Sequence, residues 1–169
     1  MVKPDPWVVH KFGGSSVADA DCFRKVAAIL ESAPAGRLAV VLSAARGVTD
    51  ALLRLVALAE RQDEGYRGEL ARLRMRHAEM AQALLTSTDT QEYLAEFDRD
   101  VRDLSGVLHS ITLTRAAAQN VSDLIAGYGE IWSTRLFQRY FAARRQRPGA
   151  VEWLDARRVV IVQWGALGP

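Results

Sequence analysis

Lys11, Gly13, Gly14 and Ser15 follow directly on the apolar run Val8-Val9-His10. A lysine, two positions without Cβ and a hydroxyl at the mouth of a strand make a loop that a ligand can approach at backbone distance, with N–H groups free for an anion. The ammonium of Lys11 adds a full charge beside that nest, so the chemistry this set suits is the binding of phosphate. The loop is neither GxxxxGK[ST] nor GxGxxG, and Lys-x-Gly-Gly-Ser is also compatible with a plain tight turn. Two further stretches carry polar groups in comparable settings. Ser43 closes a second apolar run and is followed by Gly47 and Thr49, while Gly129-Glu130 interrupts a long helical pattern. Each has a purely structural alternative: Ser43 can terminate a strand, Thr49 can be the N-cap of its helix, and Glu130 can be a helix-surface carboxylate.

The elements that must position these residues are legible in order. Trp7 to Phe12 is a short apolar run suited to a strand buried on both faces. Asp19 is a credible N-cap for a helix with Phe23, Val26, Ala27 and Leu30 at i, i+3, i+4 and i+7. Ser-Ala-Pro-Ala-Gly then stops that helix. Leu38 to Leu42 is a second strand, and Val48, Leu52, Leu55, Val56 and Ala59 line one face of the helix after it. Strand, helix, strand, helix with short connections predicts a parallel sheet, with both glycine-bearing loops at its C-terminal edge. Next, Tyr66, Leu70, Leu73, His77, Met80 and Leu84 recur at three and four, as do Leu94, Phe97, Val101, Leu104, Leu108 and Ile111. Two amphipathic helices joined at residues 86–90 predict an antiparallel hairpin over about residues 62–115, packed on the α/β core. His77 on that stripe reads as a packed histidine, since no second ligand stands at i+4. A long helix over about residues 121–142 carries Gly127 and Gly129, which cost about 1 kcal/mol each relative to alanine and so imply close packing or a ligand near Glu130. A turn at residues 146–149, a short strand at Val151 to Leu154 and an apolar run at residues 159–162 complete the pattern.

Composition bounds the function. The chain has 169 residues, 49% of them hydrophobic and 25% charged, enough for one domain with a core. A formal net charge of +2 gives no electrostatic reason for a nucleic-acid or membrane-surface partner. The cluster Arg144, Arg145 and Arg147 suits a solvated helix C-terminus. The single cysteine, Cys22, excludes an internal disulfide and suits a small apolar residue in a helix. Without an 18-residue apolar run or a signal-peptide h-region, the expectation is a cytoplasmic protein.

The order of these stretches resembles that of the aspartate kinases in the amino acid kinase family. Residues 11–17 are similar to the KFGG[TS]SV signature, residues 41–50 to the VSA…G.TN motif, Gly129-Glu130-Ile131-Trp132-Ser133 to the GE..S segment, and Leu154-Asp155-Ala156-Arg157 to LDAR. The wording of the first and third most resembles the kinase end of bifunctional aspartokinase/homoserine dehydrogenases of type II. The resemblance implies a three-layer α/β/α fold with a largely parallel sheet, here incomplete, plus an inserted helical hairpin. It implies that Lys11, Gly13, Gly14 and Ser15 hold the transferring phosphate of ATP, with Lys11 catalytic, and that Ser43, Thr49 and Glu130 surround L-aspartate. It also implies Mg2+ as the ATP complex, a homo-oligomer, and the first step of lysine, threonine and methionine biosynthesis. Asp50 stands where the family usually has Asn, and Ala45-Arg46 replaces smaller residues. Nothing after Asp155 matches the family's nucleotide-binding half, so residues 1–169 are expected to be the N-terminal part of a kinase domain, inactive alone. The alternative is a non-catalytic binding or assembly module derived from such a kinase.

Overall fold

The computed structural model describes residues 6–33, 36–145 and 150–160. Two strands, β1 (Trp7–Phe12) and β2 (Arg37–Leu42), pair in parallel with Phe12 opposite Leu42, and Ser43 extends the ladder by donating to the Phe12 carbonyl at 3.0 Å. The return between them is α1 (Ala20–Glu31), preceded by a 3-10 turn over Gly14–Val17. Asp19 caps α1 as its spacing predicts, accepting the Cys22 N–H at 2.9 Å, and Phe23, Val26, Ala27 and Leu30 are its buried face. After β2 comes α2 (Val48–Glu60), whose Val48, Leu52, Leu55, Val56 and Ala59 are all buried. The chain is therefore mixed α/β with a short parallel sheet.

The helical hairpin consists of α3 (Gly65–Leu84) and α4 (Ser87–Thr114). It runs antiparallel: Thr90 donates to the Ala81 carbonyl near the turn, and farther out Arg74 forks onto Asp98 at 2.6 and 2.8 Å. The expected connector at residues 86–90 is a correction. Thr86 alone is the N-cap, accepting the Asp89 N–H at 3.2 Å and donating to the Asp89 carboxylate, so Ser87 to Thr90 form the first turn of α4. The hairpin shares the central core. Phe97 packs against Trp132 with ring centroids 4.3 Å apart and planes tilted by 35°, and the Tyr93 hydroxyl donates to the Trp132 carbonyl at 3.3 Å.

The long helix expected over residues 121–142 is two helices, α5 (Gln119–Ala126) and α6 (Tyr128–Arg145), separated at Gly127. Gly127 keeps helical dihedrals, φ −63° and ψ −14°, and its N–H closes α5 by donating to the Asp123 carbonyl at 3.0 Å. Two other expectations are corrected. Residues 151–154 form no strand; they lie against α6, where the Trp153 indole donates to Thr134 at 2.9 Å and Arg135 covers its ring. Nor is β1 buried on both faces. Val8, His10 and Phe12 share the face toward the helices, whereas Trp7 and Val9 on the other face are 61% and 65% exposed. The apolar run reflects the β propensity of Val and Trp as much as burial. The expected turn at residues 146–149 and residues 161–162 of the run at 159–162 fall outside the described residues.

Candidate functional site

Both loops leave the C-terminal edge of the parallel sheet, as strand polarity requires. In the first, Gly13 precedes the 3-10 turn, Ser16 donates to its carbonyl at 2.9 Å, and buried Val17 anchors the turn in the core. Lys11 and Ser15 are exposed, and the Lys11 ammonium lies over Gly13, 3.7 Å from where a Cβ would stand. Gly14 is required for another reason. A Cβ there would fall 2.9 Å from the Ala44 carbonyl oxygen, so the two loops touch at backbone distance.

The second loop runs from Ser43 to Gly47, with Ala44 and Ala45 buried beneath it. Gly47 has φ +76°, in the left-handed region, and delivers the chain into α2. The N-cap of α2 is thus Gly47, and Thr49 sits half-buried in the first helical turn. Side chains from elsewhere hold this loop at three backbone groups. The Glu130 carboxylate accepts the Ala44 N–H at 3.2 Å, the Ser133 hydroxyl donates to the Ser43 carbonyl at 2.8 Å, and Arg76 donates to the Arg46 carbonyl at 2.9 Å. Glu130 can reach because α6 presses close. A Cβ on Gly129 would fall 2.7 Å from the Ala44 Cβ and 3.3 Å from Val48, which accounts for glycine at that helical position.

The structure therefore brings Glu130 onto the Ser43 loop and that loop onto Gly14, with Lys11, Gly13 and Ser15 on the same first loop. Thr49 has no side-chain hydrogen bond to this cluster among the described residues. Ser133 and Arg76 are the polar residues that sequence reasoning left without a role. The three-residue step from Glu130 to Ser133 puts both on one helix face and was a usable signal. Arg76, one residue before a buried stripe position, gave none.

Chemically, the cluster offers the exposed Lys11 ammonium, hydroxyls and a carboxylate around a glycine-lined backbone edge, which suits an anionic group beside an ammonium group. A polar groove of about 480 Å3 lies elsewhere, between α4, α6 and Trp153. Two of its three arginines are already paired, Arg135 with Asp100 at 2.7 Å and Arg139 with Glu96 at 2.9 Å, and it reads as a structural network. Burial raises the Asp100 carboxyl above its ordinary range, against the pull of Arg135 and of the Trp132 indole that donates to it at 3.0 Å. Among the described residues no cluster of His, Cys, Asp and Glu has the makings of a metal site, and no helix is long and apolar enough to cross a membrane.

The sequence model of the amino acid kinase family matches residues 6–167. The bifunctional aspartokinase/homoserine dehydrogenase 1 of Arabidopsis thaliana is 33% identical over 162 residues, covering 96% of this chain and 18% of the relative. The bifunctional aspartokinase/homoserine dehydrogenase 2 of Escherichia coli is 30% identical over 149 residues, 88% of this chain and 17% of the relative. Escherichia coli aspartokinase III, solved in complex with aspartate and ADP, superposes with a TM-score of 0.69 at 33% identity, over 83% of this chain and 30% of that one. The chain thus spans under a fifth of the length of these bifunctional relatives.

Proposed function

Because the chain belongs to the amino acid kinase family, we propose that it is the N-terminal part of an aspartate kinase, transferring the γ-phosphoryl group of ATP to the β-carboxylate of L-aspartate. The observation that carries this reading is the Glu130 carboxylate seated on the Ala44 N–H, beside the loop that touches Gly14. It joins an ammonium-binding group to a phosphate-type loop across one sheet edge. In the reaction an oxygen of the substrate carboxylate attacks the γ-phosphorus, the bond to the ADP oxygen breaks, and 4-phospho-L-aspartate and ADP leave. No covalent enzyme intermediate forms.

Such a transfer depends on positioning and on neutralising charge at the phosphoryl oxygens. Lys11 supplies the charge, and the backbone of Gly13, Gly14 and Ser15 supplies N–H donors. Ser43 and Thr49 offer hydroxyls to the aspartate carboxylates, and Glu130 pairs with the α-ammonium. Mg2+ enters with ATP as part of the substrate. The rest of the nucleotide site belongs to a C-terminal half that completes the enzyme.

The test is ATP-dependent trapping of the acyl phosphate with hydroxylamine, in an enzyme complete with that half, together with calorimetric titration of L-aspartate. We expect saturable aspartate binding that Glu130→Ala abolishes, and hydroxamate formation that Lys11→Ala suppresses. A complete enzyme that forms no aspartyl hydroxamate overturns the reading.

A further inference from the structure

We propose that Arg76, on the helical hairpin, is a positioning residue that sets the spacing of the two site loops by holding one backbone carbonyl of each. Its guanidinium donates through one terminal nitrogen to the Arg46 carbonyl and through the other to the Ala18 carbonyl, both at 2.9 Å. Ala18 ends the 3-10 turn that begins at Gly14, and Arg46 stands just before the left-handed Gly47. The two bonds therefore pin the downstream ends of both loops, whose upstream parts already touch where Gly14 meets Ala44.

The residue type follows from the task. A planar fork with fixed angles between its N–H groups can span two carbonyls, and a charged donor makes each bond stronger than a neutral one. No carboxylate pairs with Arg76 among the described residues, so these carbonyls are its partners. Its base is rigid as well. The next residue, His77, is 1% exposed between Phe97 and Trp132, and Leu73 and Met80 are buried on either side. The hairpin thus reaches the site through one side chain whose root is fixed in the core.

This inference rests on the reading of the two loops as substrate loops, because misplacement of about 1 Å there costs reactivity. Hydrogen exchange of the Ser16 and Val48 amides, bonded within the loops, and of the Ala44 amide, bonded to the Glu130 carboxylate, reports loop order without any ligand. In the full chain, Arg76→Met is expected to speed exchange of segments 13–18 and 43–48 by about tenfold or more while α3 and α4 keep wild-type protection. Arg76→Lys, which keeps the charge but lacks the fork, is expected to restore one loop and not both. Unchanged exchange in both loops, or faster exchange spread evenly along α3, overturns the proposal. Should Arg76→Met fail to fold, Arg76→Lys carries the test, with wild-type exchange in both loops as the overturning result. Calorimetry with L-aspartate and with MgATP separates the two readings. Loosened loops in Arg76→Met, beside a complete wild-type enzyme that binds neither ligand, sink the kinase reading alone, and unaltered loops in Arg76→Met, beside a complete wild-type enzyme that binds both, sink the positioning role alone.

Discussion

Lys11 and Glu130 stand on different loops, and the chemistry proposed for them predicts different kinetic signatures. Charge shifts at the transferring phosphoryl group in the transition state, so Lys11→Ala should chiefly depress kcat, by roughly 100-fold or more, in the complete enzyme. The α-ammonium lies away from the reacting bonds and is held about equally in ground and transition states. Glu130→Ala should therefore raise KM for aspartate strongly and leave KM for ATP nearly unchanged. Steady-state kinetics with each substrate varied decides between these and a purely structural role, which would lower the melting temperature and spare both constants. The glycines separate packing from chemistry at the same scale. Gly129→Ala drives a methyl group into Ala44 and Val48 within a buried helix contact, and overpacking of this kind costs about 1–3 kcal/mol. Gly13→Ala meets only the flexible Lys11 ammonium at an ordinary distance and should cost far less by thermal melting.

At the scale of elements, periodicity reported burial faithfully in α1 and α2, whereas on the hairpin Leu84, Leu94 and Val101 of the expected stripes are only half-buried. The stripes of α1 and α2 are buried residue for residue, and His77 is the packed histidine its position on α3 predicts. Capping chemistry was legible at Asp19 and, in the Thr86-x-x-Asp89 spacing, available but unread. What one dimension does not contain is which apolar segment finds a partner strand: β1 and residues 151–154 look alike as sequence, and only β1 pairs. The candidate site divides similarly. Its glycines and charged groups stand out locally, whereas the grip of Arg76 on two loops depends on long-range folding. His77 also predicts a pH dependence for the junction of α3, α4 and α6. Its Nδ1–H donates to the Leu73 carbonyl at 2.8 Å, its Nε2 has no partner, and burial lowers its pKa to about 4 from 6.5. Arg76 adds a smaller push in the same direction. Between those values the unfolded chain binds a proton that the folded chain excludes. Stability from this group is complete above about pH 6.5 and falls as pH drops toward 4, by on the order of 3 kcal/mol. Urea titrations of wild type and His77→Leu from pH 4 to 7 should differ by that slope, and parallel curves would remove the histidine from the account.

For the whole molecule, the sheet is the decisive feature. The helices gather on the face that carries Phe12, Val40 and Leu42, and one continuous core binds them together. The opposite face presents Trp7, Val9 and Val41, the last 50% exposed, in register across the two strands at Trp7↔Arg37, Val9↔Ala39 and Lys11↔Val41. Arg37 lies over the Trp7 ring and shields part of it, but the valines stand open. Apolar side chains aligned on a parallel ladder favour burial against a second surface, and each large aliphatic side chain removed from water contributes about 1.5–3 kcal/mol. We therefore expect the 169-residue polypeptide to self-associate through this face, and to show no ATP-dependent hydroxamate formation alone, because the proposed nucleotide-binding half is not among its residues. Val9→Lys together with Val41→Glu places opposite charges at diagonal positions of the face without touching the core side. Sedimentation velocity over a concentration series should show the wild-type chain associating and the double variant monomeric, with both melting cooperatively. A wild-type chain that remains monomeric at high concentration would mean that the exposed face is satisfied by Arg37 and water alone, and the association predicted from it would fall.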